Sequence, residues 1–462
     1  MRTVASQPAA PKQFSRWIRV FPIIFFSVYL TGTVLFFVAG PFEYPVDNPW
    51  TLYLFLALAH LALLAGYWRA ASGQPRNYFG PWKAPQILFW SATISLLLLL
   101  PTSRARTGNA IPDIVDGIVN TGDAYARTVS LSEQPTGMPI VEYARIVSGP
   151  LIGLLLPLTV FYWRQLTRTT RVLAVAGILG TVALFVAMGT NKAIADTVLL
   201  VPWMTFAGYK AGKLRLKPGR IVALGLCSVS AFVLFFTFFG LAMEGRSGSP
   251  AVTGYFPATG AKADTDNFLV SGLSAGPAAV IMGLDIYLTP GYYALSLSLR
   301  EPFVPMYGVG NSMFLYRQAA RLTGDENIMK QPYPVRIEKY GWDAYGLWSS
   351  IYPWIASDVS FPGTILIVYL IGRLFALSWL DTLGGANPFA VVMFSQFLIM
   401  LFYFPANNQL LQSGEGFTAF WVTLFLWLRT RRRPGSSRRR VLAESAETSH
   451  GSEHDSLSKS MV

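Results

Sequence analysis

Charge is scarce in this 462-residue chain: 13% of its positions are Asp, Glu, Lys or Arg, roughly half the share in an ordinary globular protein. With 52% hydrophobic and 14% aromatic residues, too little polar surface remains to keep so long a chain in water, which excludes most soluble classes. Cysteine is nearly absent. Cys227 stands alone in an apolar run, so an intrachain disulfide and any CxxC metal site are excluded. Histidine is almost as rare: His60 falls inside an apolar run and reads as a satisfied buried residue, while His450 and His454 belong to the C-terminal tail. Proton transfer would therefore fall to carboxylate, Tyr or Lys. No GxxxxGK[ST] loop, HExxH pair or Rossmann glycine pattern is present, and Gly308-Val-Gly310 is only a fragment of one. Nucleotide hydrolysis and zinc chemistry are disfavoured, and no metal or cofactor is expected. Nor is there an internal repeat of the kind many transporters carry.

Long apolar runs are what the chain has instead. A bilayer span needs about 20 mostly apolar residues. The candidates are Val20 to Gly40, Leu52 to Tyr67, Ile87 to Leu100, Ile146 to Tyr162, Val172 to Met188, Ala193 to Gly208, Ile221 to Leu241, Phe361 to Leu380, Phe389 to Phe404 and Phe417 to Leu428. The first is too long for a removable signal segment and reads as a span. The expected fold is all-α and polytopic, with about ten transmembrane helices over residues 20–428. Two connections, 102–145 and 242–360, are too long to be turns, and loops of such length tend to be functional. The larger lies between spans seven and eight. Within it Pro277 to Leu299 is apolar but interrupted by Pro290 and Gly291, with Asp285 inside, which predicts two half-helices rather than one span.

The 37 Lys and Arg outnumber the 24 Asp and Glu, a formal net charge of +13. They stand in short clusters between apolar runs, which points to orientation in a membrane and not to nucleic acid. Placing segment 1–19 in the cytoplasm puts Arg69, Arg76, Arg164, Arg168, Arg171, the Lys210 to Arg220 cluster and the arginine-rich tail 429–462 on that same side. The inner side is then strongly basic and the outer side mildly acidic. Both termini are expected in the cytoplasm, and the tail beyond Val441 reads as disordered.

The outer side carries cations suited to phosphate: Arg127 and Arg145 from the first long loop, Lys192 from the corner Gly189-Thr-Asn-Lys192, and Arg246 and Arg300 from the second. Arg offers a planar fork to phosphate oxygens and Lys a point charge; the plain alternative is solvated charges paired with nearby carboxylates. Lys192 and Arg145 stand out, because both sit where a predicted helix meets the outer boundary, the depth of a lipid-linked phosphate. Asp358 opens the eighth span in IASDVSFPG, where it can act as a base or as a helix cap. Asp343 lies in an aromatic stretch with Tyr345, Trp348, Tyr352 and Trp354. Those rings can stack on sugars or mark a membrane belt.

At this point a pattern emerges. The layout of spans and outer loop, Tyr287 to Leu299, Gly308 to Phe314 and Trp348 to Gly372 resemble the bacterial oligosaccharide repeat unit polymerases, the Wzy-type O-antigen polymerases. Asp358, Phe361 and Gly363 are similar, at looser spacing, to that family's Tyr-x-Asp-Phe-Gly element. The Lys192 corner resembles its Gly-Ser/Thr-x-Arg corner, with the charge kept and the arginine fork lost. The resemblance implies a metal-independent glycosyltransferase of the bacterial plasma (inner) membrane. Such an enzyme moves a glycan from undecaprenyl pyrophosphate to the terminal sugar hydroxyl of another lipid-linked unit, for surface polysaccharide synthesis. On that reading Lys192, Arg145 and Arg127, with Arg246 or Arg300, hold pyrophosphate, Asp358 or Asp343 takes the proton, and Tyr345, Trp348, Tyr352 and Trp354 hold sugar. A chain-length regulator and a flippase are the protein partners it suggests. Two other readings stay open: an O-antigen ligase, disfavoured by the missing outer histidine, and a transporter or flippase of lipid-linked sugars.

Overall fold

The computed structural model describes residues 14–78, 84–133, 139–247, 255–256, 259–344 and 346–432. Nearly all of the expected cytoplasmic tail, and most of the N-terminal segment, therefore lie outside the described residues. Helices dominate: α1 (Arg16–Ala39), α2 (Pro49–Ala71), α3 (Ala84–Thr107), the short α4 (Ile114–Val119) and α5 (Thr121–Glu133), then α6 (Pro139–Ile152), α7 (Leu155–Phe161), α8 (Arg168–Ala187), α9 (Lys192–Lys210) and α10 (Pro218–Ser247). Next come α11 (Ala275–Leu288), α12 (Pro290–Ser298), α13 (Met313–Thr323), α14 (Tyr333–Arg336), α15 (Ile351–Gly384), α16 (Pro388–Tyr403) and α17 (Gly414–Thr430). Among the described residues, seven stretches are long and apolar enough to cross a membrane: α1, α2, α3, the Pro139–Phe161 pair α6–α7, α8, α10 and α15. The protein has the build of an all-α membrane protein.

Local chemistry sets the boundaries. Ser15, Thr167 and Ser413 each cap the helix that follows, accepting from Ile18 N, Thr170 N and Gly416 N, while Asn387 accepts from Phe389 N and Ala390 N with Pro388 at the first position; both devices answer the orphan N–H groups of a helix start. The apolar run 277–299 is two helices, α11 and α12, meeting at Thr289 before Pro290. One expectation is corrected at α15: it begins at Ile351 behind Ser350, so Asp358 lies about two turns inside it and caps nothing. The chain then breaks at Ser360 (φ 64°) and resumes through Pro362, a residue suited to a first helical turn.

Hydrogen bonds sort the connections into two ends. At one, the tail end, Arg19 Nη1 donates to Gly73 O at 3.1 Å, Trp379 Nε1 to Ile18 O at 2.8 Å, and β2 (Asn77–Tyr78) pairs antiparallel with β5 (Arg431–Arg432). At the other, the loop end, β4 (Ala261–Ala263) pairs with both β1 (Phe42–Glu43) and β3 (Tyr255–Phe256), Asn48 Nδ2 donates to Ser296 O at 3.0 Å, and Ile351 N to Phe404 O at 3.0 Å. Segments that the charge pattern assigned to one side thus bond to one another. Between the ends, α2 and α15 touch backbone to backbone: a Cβ on Gly66 would stand 2.0 Å from Tyr369 O, and one on Gly372 2.2 Å from Leu63 O. Small residues permit this approach between apolar helices. Beside that seam an aromatic core forms, with Phe375 stacked on Phe394 at 5.6 Å and Trp379 tilted against Phe394 at 4.7 Å.

Candidate functional site

The proposed cations do not gather. Arg145, 6% exposed on α6, gives Nε and Nη2 to Glu415 Oε2 at 2.8 and 2.5 Å, and Nη1 to Thr102 Oγ1 at 3.3 Å. Arg127 pairs with Asp116 at 3.0 Å; hydrogen bonds from Asn120 and then Arg127 hold that carboxyl below its usual range. Arg300 pairs with Asp47 at 2.5 Å and lies over the Tyr340 ring. Arg246 falls in the last turn of α10, its side chain outside the described residues. Arg145, Arg127 and Arg300 each face a different carboxylate, Glu415, Asp116 and Asp47, so these three do not converge on one shared pyrophosphate.

The two proposed bases are also engaged. Asp358 Oδ1 accepts from Gly308 N at 2.8 Å and Gly310 N at 2.9 Å, and its Oδ2 from Asn311 N at 2.9 Å and Asn311 Nδ2 at 2.6 Å. Four donors on one carboxylate use the lone pairs a base would offer; the geometry makes Asp358 an anchor for the 308–311 segment. Asp343 is exposed and accepts from Gly346 N at 2.8 Å, closing a turn. Among the rings, Tyr352 is 6% exposed between Phe55 and Phe404, and Trp354 is 2% exposed and stacked on Tyr316 at 6.4 Å. These two rings are core, with no face open to a sugar. Tyr345 lies outside the described residues.

Two of the expected residues do meet. A cavity of about 200 Å³ opens at the loop end, and Lys192 and Trp348 both line it. Phe235, Phe236 and Phe239 of α10, Leu284 and Tyr287 of α11, and Phe402 and Tyr403 of α16 form an apolar and aromatic part of its wall, with Asn191 and Gln409 among its polar members. The α10 wall reaches the outside of the bundle, because that helix is exposed along residues 218–227 and packs mainly through Phe235 and Phe239. Lys192 opens α9, where the helix start adds positive potential, and its Nζ is hydrogen-bonded to Asp196 Oδ2, one turn on. The Asp196 carboxylate, 15% exposed, also faces the Tyr403 phenol. Asn191 is 6% exposed and its Nδ2 has no partner among the described residues.

The arrangement can hold an apolar chain against α10 and α11 and an anionic head against Lys192, with Asp196 beside it as a proton acceptor. Asp196, Asn191, Tyr403 and Gln409 escaped the sequence reading. Only Asp196 carried a readable signal, its i, i+4 spacing from Lys192 on one helix face. His60 is engaged by Ser27, Oγ to Nε2 2.8 Å. Among the described residues no group of His, Cys, Asp and Glu is placed to hold a metal ion. No family model matches the chain, and neither a curated protein nor a solved structure matches it.

Proposed function

We propose that this protein polymerises lipid-linked oligosaccharide repeat units at the outer face of a bacterial plasma membrane, taking glycan from a polyprenyl pyrophosphate carrier to the terminal sugar hydroxyl of a second lipid-linked unit. The observation that carries this reading is the aromatic cavity with Lys192 and Asp196 at its edge, since it offers one substrate both an apolar wall and a cation. On this reading α9, α16 and α17 complete ten spans, the loop end faces outward, and the basic tail end faces the cytoplasm.

In the reaction, the acceptor hydroxyl oxygen attacks the anomeric carbon while the bond from that carbon to the pyrophosphate oxygen breaks. The bonding pair leaves with pyrophosphate, whose growing charge Lys192 stabilises, and the hydroxyl proton passes to the Asp196 carboxylate. Asp196 thus replaces Asp358 and Asp343 as base, and Trp348 remains a sugar contact at the cavity. Arg145, Arg127 and Arg300 support the loops that frame it.

The test is ladder formation by the purified protein in lipid nanodiscs, supplied with lipid-linked repeat units alone. Wild type should form a ladder, and Lys192→Ala and Asp196→Asn should each slow it by about 100-fold or more. No ladder from wild type overturns the polymerase reading: product only after addition of lipid A core identifies a ligase, and movement without product a transporter. Wild-type ladders from both variants overturn the site.

A further inference from the structure

Several buried polar atoms left without partners lie at a single place. Asn407 and Asn408 are 2% and 1% exposed, yet among the described residues Oδ1 of each accepts no hydrogen bond, and Asn311 Oδ1 and Gln412 Nε2 are likewise unpartnered there. These four atoms belong to the crossing of segments 308–312 and 405–412. Asn408 Nδ2 donates to Asn311 O at 2.7 Å, Met313 N to Gln412 Oε1 at 2.9 Å, and Ser312 Oγ to Leu411 O. The Asp358 carboxylate pins the first segment through its four donors. Asn407 Nδ2 donates at 3.2 Å to Oε1 of Gln409, which lines the cavity beside Lys192. Asn311, Gln409 and Gln412 are half-buried and bring the crossing to the surface.

Leaving a buried amide atom unpaired costs its desolvation, and native proteins hold few such atoms. Here four surround one crossing, on side chains whose other polar atom is already bonded. The missing partners are of both kinds: three carbonyl oxygens need donors and one amide nitrogen needs an acceptor. An anion supplies acceptors alone and would face three sets of like lone pairs, while a hydrocarbon chain supplies neither. A hydroxyl donates and accepts at once. We propose that this crossing binds the uncharged, hydroxyl-rich sugars of the substrate through Asn311, Asn407, Asn408 and Gln412, with Gln409 joining it to the Lys192 cavity and Asp358 as a positioning residue. Naming those sugars as part of a lipid-linked substrate rests on the reading given under Proposed function.

The test measures binding of two probes to the full-length protein in nanodiscs: a polyprenyl diphosphate, bare or carrying a neutral trisaccharide. Wild type should bind the glycosylated lipid roughly tenfold or more tightly. Asn407→Leu and Gln412→Met keep the volume and remove unpaired atoms, so each should erase that difference and leave the bare-lipid affinity unchanged. Lys192→Ala should weaken both lipids. Without ligand, Asn407→Leu should unfold close to the wild-type temperature, because relief of the unpaired Oδ1 offsets loss of the bond from Nδ2 to Gln409 Oε1; should it fail to fold, Gln412→Met decides. A difference retained in the variant or variants that fold overturns the sugar site and assigns the crossing to water. Wild type that ignores both lipids but is thermally stabilised by free trisaccharide overturns the lipid-linked reading and supports the sugar site. Indifference to all three probes overturns both.

Discussion

At the tail end Asp381 is 1% exposed and fully used: it accepts from Arg76 N at 2.8 Å, Trp427 Nε1 at 3.0 Å and Arg431 Nε at 2.5 Å. At the loop end Asn191, Asn311, Asn407, Asn408 and Gln412 each keep a buried polar atom without a partner among the described residues. Both sets are taken out of water, so the cost of burial is similar in kind, but only one set recovers it within the fold. Where every lone pair is answered, the group ties segments together; where it is not, the fold holds a group ready for something it does not contain. The comparison also sorts charged residues that look alike in sequence. Arg145 and Asp358 belong with Asp381, and Lys192 stands next to the incomplete set.

The largest expected effect tests the saturated carboxylate of Asp381. Asp381→Ala leaves the buried Arg431 guanidinium and Trp427 N–H facing each other without the acceptor, and should destabilise the protein by about 3–5 kcal/mol, read as a lowered unfolding midpoint in detergent. Ladder formation per folded molecule should remain at the wild-type level. A loss of stability too small to detect would break the distinction between the two ends.

A smaller effect tests another carboxylate at the loop end that is answered as fully. Glu301 accepts from Arg336 at 2.9 Å, Lys339 at 2.8 Å and Tyr340 at 2.8 Å. Burial alone would push its carboxyl up, but the donors Lys339, Arg336 and Tyr340 together outweigh burial and hold it below the ordinary glutamate range. A depressed carboxyl contributes stability that is complete above the unfolded value and is lost as pH falls through the folded one. Glu301→Gln should therefore cost about 1.5–3 kcal/mol at pH 7, and the gap to wild type should close as pH drops below the ordinary glutamate range. Unfolding midpoints across that window measure it, and a gap that persists in acid would assign the loss to packing.

Much of the architecture was legible because an apolar run about 20 residues long is a strong signal and charge clusters mark the turns between runs. The break in 277–299 was legible too, since Pro290 lacks the N–H that a continuous helix needs. Partners across the chain were not. Arg145 meets Glu415 across 270 residues, and Asp358 meets the 308–311 segment, so neither pairing leaves a local spacing to read. Rings were ambiguous for a different reason: Trp348 at the cavity and Trp354 in the core carry the same side chain in the same aromatic stretch, and only packing separates them. Asp196 stood inside the apolar run Ala193 to Gly208, where its spacing from Lys192 was its sole local cue.

The smallest stability effect tests Lys192 most sharply. Its partner is one helical turn away, the two side chains are 29% and 15% exposed, and a pair of this kind contributes about 0–1 kcal/mol. Lys192→Met keeps the stem that packs at the cavity edge and removes the charge. The unfolding midpoint should move by no more than that amount, while ladder formation falls as far as in Lys192→Ala. A large drop in stability would place Lys192 with Arg145 and Asp381 among the groups that hold the fold. A small drop joined to a lost ladder places it with the unpaired amides, among the groups that the fold holds for a substrate.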